Sequence, residues 1–139
     1  MAANVQPIYS KIADIQWSVS TVQSGNTTTD LTSGTIYPVF TADTTNGGYV
    51  QRVRFRPLGT NVATVARVWI NNSSATTTAE NNTLWDEIAI ASTTVSQTAA
   101  QANYELPLNF PLPPSYRLYV TLGTAVAAGF DVTVIGGKY

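Results

Sequence analysis

Cysteine and histidine are both absent from this chain of 139 residues, and charge is scarce, with only 11% Asp, Glu, Lys or Arg. Ordinary globular domains carry about 25%. The missing cysteine excludes disulfides, thiol catalysis, zinc ribbons and iron–sulfur clusters. The missing histidine removes the commonest general base and the commonest transition-metal ligand. Neither a Ser–His–Asp triad nor an H-E-x-x-H zinc site can therefore be built within the chain. A net charge of −1 argues against nucleic acid as a partner, because phosphate binding needs a cationic surplus. No run approaches the roughly 20 apolar residues of a membrane-spanning helix. The start, Met1-Ala-Ala-Asn-Val-Gln-Pro-Ile, has neither a basic nor an apolar leader region, so no signal peptide and no membrane partner are expected. Nothing in the residue chemistry calls for a cofactor or a metal, and the expectation is a soluble, non-catalytic β-protein.

Uncharged polar residues take the place of the missing charge: 21 Thr, 10 Ser, 10 Asn and 6 Gln, beside 44% hydrophobic residues. At this length a single core without staples is feasible. The apolar pattern has period two almost throughout, which is the strand signature. Ile15, Trp17, Val19 and Thr21 share one face of a first strand. Residues 34–41 read as a second, and Pro38 puts it at an edge or a bulge, since proline cannot donate to a ladder. Over 49–56, Tyr49, Val53 and Phe55 alternate with Val50, Arg52, Arg54 and Arg56. Over 61–71, Val62, Ala66, Val68 and Ile70 oppose Arg67 and Trp69. Residues 71–83 read as a long exposed loop. A strand over 84–91 follows, with Leu84, Ile88 and Ile90 facing in. Residues 92–102 read as a loop, with a short helical turn as the alternative, and three strands follow around Leu106, Val120 and Val132.

Eight strands without a convincing helix predict an all-β domain, best fitted by an eight-stranded jelly-roll-like sandwich, with an immunoglobulin-like sandwich as runner-up. Residues 1–11 read as an N-terminal arm or a disordered terminus, and 12–139 as one domain. A short repeat relates Leu58-Gly-Thr-Asn-Val-Ala63 to Leu122-Gly-Thr-Ala-Val-Ala127. It reads as two similar connections that use similar residues.

Arg52, Arg54 and Arg56 are the most informative local feature. Alternate positions project from one face of a strand, about 6.5–7 Å apart. They read as a cationic ridge for an acidic partner, or as charges guarding a solvated face. Between Asp43 and Glu80 the only charges are arginines; from Glu80 to Glu105 all are acidic. The third and fifth strands of a jelly roll lie in opposite sheets, so the ridge is expected to meet acidic groups on another subunit or another protein. Candidate interface residues are thus Arg52, Arg54 and Arg56, with Glu87 from the acidic segment and Tyr9 from the arm. Asp86 and Glu87, adjacent in a strand, point to opposite faces and cannot flank one glycosidic bond. The Asp43-Thr-Thr-Asn-Gly-Gly stretch reads as an Asx-type turn. Burial is the expected fate of Trp17, Trp69 and Trp85, with sugar stacking as the alternative.

Two stretches carry a resemblance: Gly48-Tyr-Val-Gln-Arg-Val-Arg-Phe-Arg-Pro-Leu-Gly-Thr-Asn-Val-Ala-Thr-Val-Ala-Arg-Val-Trp-Ile-Asn-Asn72, and Tyr116-Arg-Leu-Tyr-Val-Thr-Leu-Gly-Thr-Ala-Val-Ala-Ala-Gly-Phe-Asp-Val-Thr-Val-Ile-Gly-Gly-Lys-Tyr139. In overall pattern the chain resembles small virion proteins of tailed bacteriophages, in particular jelly-roll capsid decoration (cement) proteins. The resemblance implies a homotrimer on the exterior of an icosahedral head, made in the host cytoplasm, that clamps neighbouring major capsid proteins. It implies no reaction and no cofactor. A receptor- or glycan-binding module of a tail or fibre is the alternative.

Overall fold

Period-two stretches become eight strands: β1 (Ile12–Trp17), β2 (Tyr37–Thr41), β3 (Gly48–Pro57), β4 (Thr64–Asn71), β5 (Asn82–Ile90), β6 (Tyr104–Leu112), β7 (Arg117–Leu122) and β8 (Phe130–Lys138). The structure, a computed structural model, describes residues 10–139; the arm over 1–11 lies largely outside them. Two four-stranded sheets form, ordered β1-β8-β3-β6 (sheet A) and β2-β7-β4-β5 (sheet B). β4 pairs with β5, β3 with β6, β2 with β7 and β1 with β8, all antiparallel. The chain is therefore one long hairpin folded at the β4–β5 connection and rolled into a sandwich. That is jelly-roll connectivity, and the seven-stranded immunoglobulin arrangement is not formed.

Inward residues of the two sheets make the core. Val53, Phe55, Val132 and Val134 of sheet A meet Ala66, Val68, Leu118 and Val120 of sheet B, all fully buried. Pro38 sits where its missing N–H does no harm, on the edge strand β2 and beside a register shift. β6 runs unbroken through Pro107 and Pro111 for the same reason, since it is also an edge.

Three faces differ from the expected alternation. A register shift between Val50 and Arg52 leaves Gln51 extra in β3 against β8, and one extra residue reverses the phase. Val50 is consequently buried with Val53 and Phe55, while Tyr49 is only partly buried and donates its hydroxyl to Asn109 Oδ1 at 3.2 Å. A second shift, between Val68 and Trp69 on the β4–β5 pair, leaves Leu84 exposed and not inward. The third difference is in β1, which ends at Trp17 and turns its apolar row outward. Ile15 and Trp17 are more than half exposed. The inward positions are Asp14 and Gln16, at the open side of the sandwich. There Gln16 Nε2 donates to Thr41 O and Gln16 Oε1 accepts from Thr41 N–H, each at 2.9 Å. The polar row thus latches β1 to β2 across the two sheets.

A second apolar cluster lies on the outer face of sheet B, where Leu31, Trp69 and Tyr119 are buried with Ile36 packed against them. The connection between β1 and β2 folds over that face. Asn26 staples it, donating from Nδ2 to Ser33 O and Thr35 O and accepting at Oδ1 from Thr28. Trp69 Nε1 donates to Thr121 Oγ1 at 3.0 Å. The 71–83 stretch is less exposed than expected, because Asn71 is fully buried and donates to Asn81 O and Asn82 Oδ1.

Candidate interaction surface

Register across sheet A assembles its outer face row by row. Ile15 stands beside Ile135, Ile135 beside Arg52, and Arg52 beside Pro107; in the next row come Trp17, Thr133, Arg54 and Glu105. In a third row Asp131 stands beside Arg56. Cross-strand partners project to the same face, so the apolar row of β1, the arginine ridge of β3 and the rim of β6 form one surface. The three arginines share a face as their spacing predicts.

The ridge finds an acidic neighbour within its own sheet. β6 neighbours β3, and this brings Glu105 to the ridge. Arg54 Nε and Nη2 both lie 2.8 Å from Glu105 Oε1. Arg52 Nε lies 3.7 Å from Oε2, an ion pair too long for a hydrogen bond, and this nitrogen is buried without an acceptor among the described residues. Arg56 Nη1 donates to Gln101 O and Asn103 Oδ1, each at 2.9 Å. Three arginines against Glu105 and Asp131 leave the face a surplus of one positive charge. Pairs this exposed are worth about 0.2–1 kcal/mol each, so the ridge does little to hold the fold.

Glu87 does not join this surface. It stands opposite Arg67 in the β4–β5 register and accepts from Arg67 Nε at 3.1 Å, in the other sheet. Asp86 accepts from the Glu87 N–H at 2.8 Å. Tyr9 lies outside the described residues.

Of the three tryptophans only Trp69 is buried; Trp17 and Trp85 are about half exposed or more. Trp85 packs on Phe110 with ring centroids 4.6 Å apart and planes tilted by 57°, a favourable aromatic geometry. Trp17 borders a depression of about 490 Å³ floored by Ser18, Ser20, Asp131 and Thr133. No protein-family model matches the chain, and no curated protein matches it in sequence. Among the described residues no group of three or more acidic side chains could hold a metal ion, and no helix is long and apolar enough to cross a membrane.

Two connections from the repeat lie against each other at one end of the sandwich. Asn61 Oδ1 accepts from the N–H groups of Ala128 and Gly129, both at 2.8 Å, and Nδ2 donates to Gly129 O at 3.1 Å. Thr64 Oγ1 donates to Thr124 O and accepts from its N–H. The two turns thus dock, chiefly through Asn61, where the copies differ, and through Thr64, Ala128 and Gly129 just beyond them. At the other turn singled out from sequence, Asp43 Oδ1 accepts from Thr45 and Asn46 N–H, which makes an Asx turn, and Gly47 takes φ +75°. Those N–H groups, Asn46 first, hold the Asp43 carboxyl below its usual range.

Proposed function

We propose that this chain is a structural virion protein that decorates and stabilises the outer surface of an icosahedral phage capsid, binding major capsid proteins as an oligomer and catalysing no reaction. The observation that carries this reading is the outer face of sheet A. It is a broad sheet surface on which exposed Trp17 and Ile15, with half-buried Ile135, adjoin a row of arginines. Tryptophan and arginine are enriched where proteins bind one another, while lysine and glutamate are depleted. The ridge's in-chain partners fix its guanidinium groups in place before any contact, which lowers the ordering cost of binding. The resemblance to cement proteins supplies the partner, the major capsid protein.

The test is to add the purified chain to phage heads that lack it and to measure co-sedimentation. Saturable binding in fixed proportion to the major capsid protein is expected. Arg52→Glu with Arg54→Glu should abolish it while far-UV circular dichroism stays unchanged. Undiminished binding by that folded variant would overturn the assignment of the face. The polar depression beside Trp17 favours one second reading, a glycan-binding module. Reproducible binding on a glycan array, lost in Trp17→Ala, would replace the capsid reading with it.

A further inference from the structure

The sandwich has four edge strands, β1 and β6 in sheet A and β2 and β5 in sheet B. Three of them carry devices that block pairing with another strand. β6 has Pro107 and Pro111. β2 has Pro38, a register shift, and the Gln16 amide on both backbone groups of Thr41. β5 has Asp86 and Glu87 and an irregular register. β1, Ile12-Ala-Asp-Ile-Gln-Trp17, has no proline, pairs with β8 without a register shift, and has Asp14 as its one charge. Ile12, Ile15, Trp17 and Val19 at and beyond it are 54–90% exposed. Among the described residues nothing covers this edge.

We infer that β1 is a self-association edge, pairing antiparallel with β1 of a second copy of this chain about a two-fold axis at Ile15. The hydrogen-bonding phase selects the register. Ser18 N–H donates to Val132 O at 2.9 Å, and Ser18 continues the β1–β8 register in which Gln16 faces Val134. Bonded and non-bonded pairs alternate along an antiparallel ladder. Even-numbered residues therefore bond to β8, and the N–H and C=O of Ala13, Ile15 and Trp17 point away from the sheet. A two-fold partner must then be centred on an odd-numbered residue. Centring on Ala13 or Trp17 leaves half the strand beyond its partner's end. Centring on Ile15 overlaps the whole strand. Ala13 then pairs with Trp17 of the second copy, and Asp14 stands opposite Gln16, so no like charges meet. On the outer face Ile15 packs on Ile15 of the second copy and Trp17 covers Ala13. Two A sheets become one continuous sheet, flanked by an arginine ridge on each side. This dimer does not depend on the capsid reading, and its symmetry differs from the three-fold that the cement resemblance implies.

Cross-linking tests the register, because the chain has no native cysteine. Bonded antiparallel pairs have Cα atoms about 5.5 Å apart, within disulfide reach. Ile15→Cys should form a covalent dimer under mild oxidation. Val19→Cys should not, since Val19 lies beyond the strand's end, four residues from the axis, and far from its own counterpart. Sedimentation of the unmodified full chain should show a concentration-dependent dimer, and Ile15→Lys should weaken it at least about tenfold, as two lysines meet on the axis. Circular dichroism confirms that each variant is folded. A monomer or trimer mass at high concentration, or equal cross-linking at Ile15 and Val19, overturns the proposal. So does a monomeric full chain that dimerises only when residues 1–9 are removed, because the edge would then be occupied by the chain's own terminus.

Discussion

Replacing Asn61 by alanine should destabilise the fold far more than any exposed asparagine does, and the structure gives the size of the effect. Asn61 is 3% exposed. Its side chain bonds the Ala128 and Gly129 N–H groups and the carbonyls of Gly129 and Gly59. The carbonyls keep other donors after truncation: Leu58 N–H reaches Gly129 O at 3.0 Å, and Thr93 Oγ1 reaches Gly59 O at 2.8 Å. Ala128 is only partly buried, so water can replace its lost acceptor. Gly129 is buried, and its N–H is left unpaired. One orphaned buried donor costs about 1–3 kcal/mol, and each net hydrogen bond lost costs about 1 kcal/mol. The expected total for Asn61→Ala is about 2–4 kcal/mol. With a urea slope of about 2 kcal/mol/M, the midpoint should fall by about 1–2 M at unchanged slope. Asn103→Ala, at an exposed site, should change stability by less than about 0.5 kcal/mol. A midpoint shift for Asn61→Ala no larger than that of the control would refute the claim that this amide staples the two turns.

Gly129 holds φ +81°, and a Cβ there would meet Thr21 and the Val22 carbonyl oxygen. Gly129→Ala should therefore cost more than about 2 kcal/mol in urea unfolding. Gly123→Ala should be near neutral, because its Cβ would meet only flexible Arg67 and the Val65 carbonyl at 3.4–3.7 Å; equal losses would contradict this. Acid should weaken the two Asx turns. The Thr32 N–H and hydroxyl hold Asp30 low, and the N–H groups of Asn46 and Thr45 hold Asp43 low, both from an ordinary 3.8. Groups depressed in the folded state stabilise it fully above that value, and the contribution is lost as pH falls through the folded pKa. Native stability should thus drop more steeply below pH 3.8 than that of Asp30→Asn/Asp43→Asn; parallel pH profiles would show that neither turn is linked to folding.

Strand positions were legible because alternation is a local property, and so was the edge position of Pro38, since the missing donor is a property of one residue. Which face of a strand is buried depends on residues far away in the chain. β1 shows this most clearly: Ile15 and Trp17 alternate with Asp14 and Gln16 as the sequence predicts, yet the apolar row faces out. The inward row reaches β2 only at the open side of the sandwich, where an amide can bond to Thr41 and an isoleucine could not. One extra residue at Gln51 likewise reversed the phase of Val50, and no local signal marks it. Leu31, Trp69 and Tyr119 belong to three separate segments, so their cluster exists only once the β1–β2 connection lies over sheet B.

The arginines carry this point to the candidate surface. A basic third strand and an acidic segment ending at Glu105 looked like two surfaces waiting for other molecules. In a rolled hairpin, however, β3 and β6 are neighbours, and residues 51 positions apart in sequence meet at 2.8 Å. Charge sorted along such a chain is what in-chain pairing produces, because the two arms of the hairpin must complement each other. Sorting of charge therefore says little here about assembly. An apolar row left outside on the one unguarded edge says more, because no in-chain contact among the described residues accounts for it.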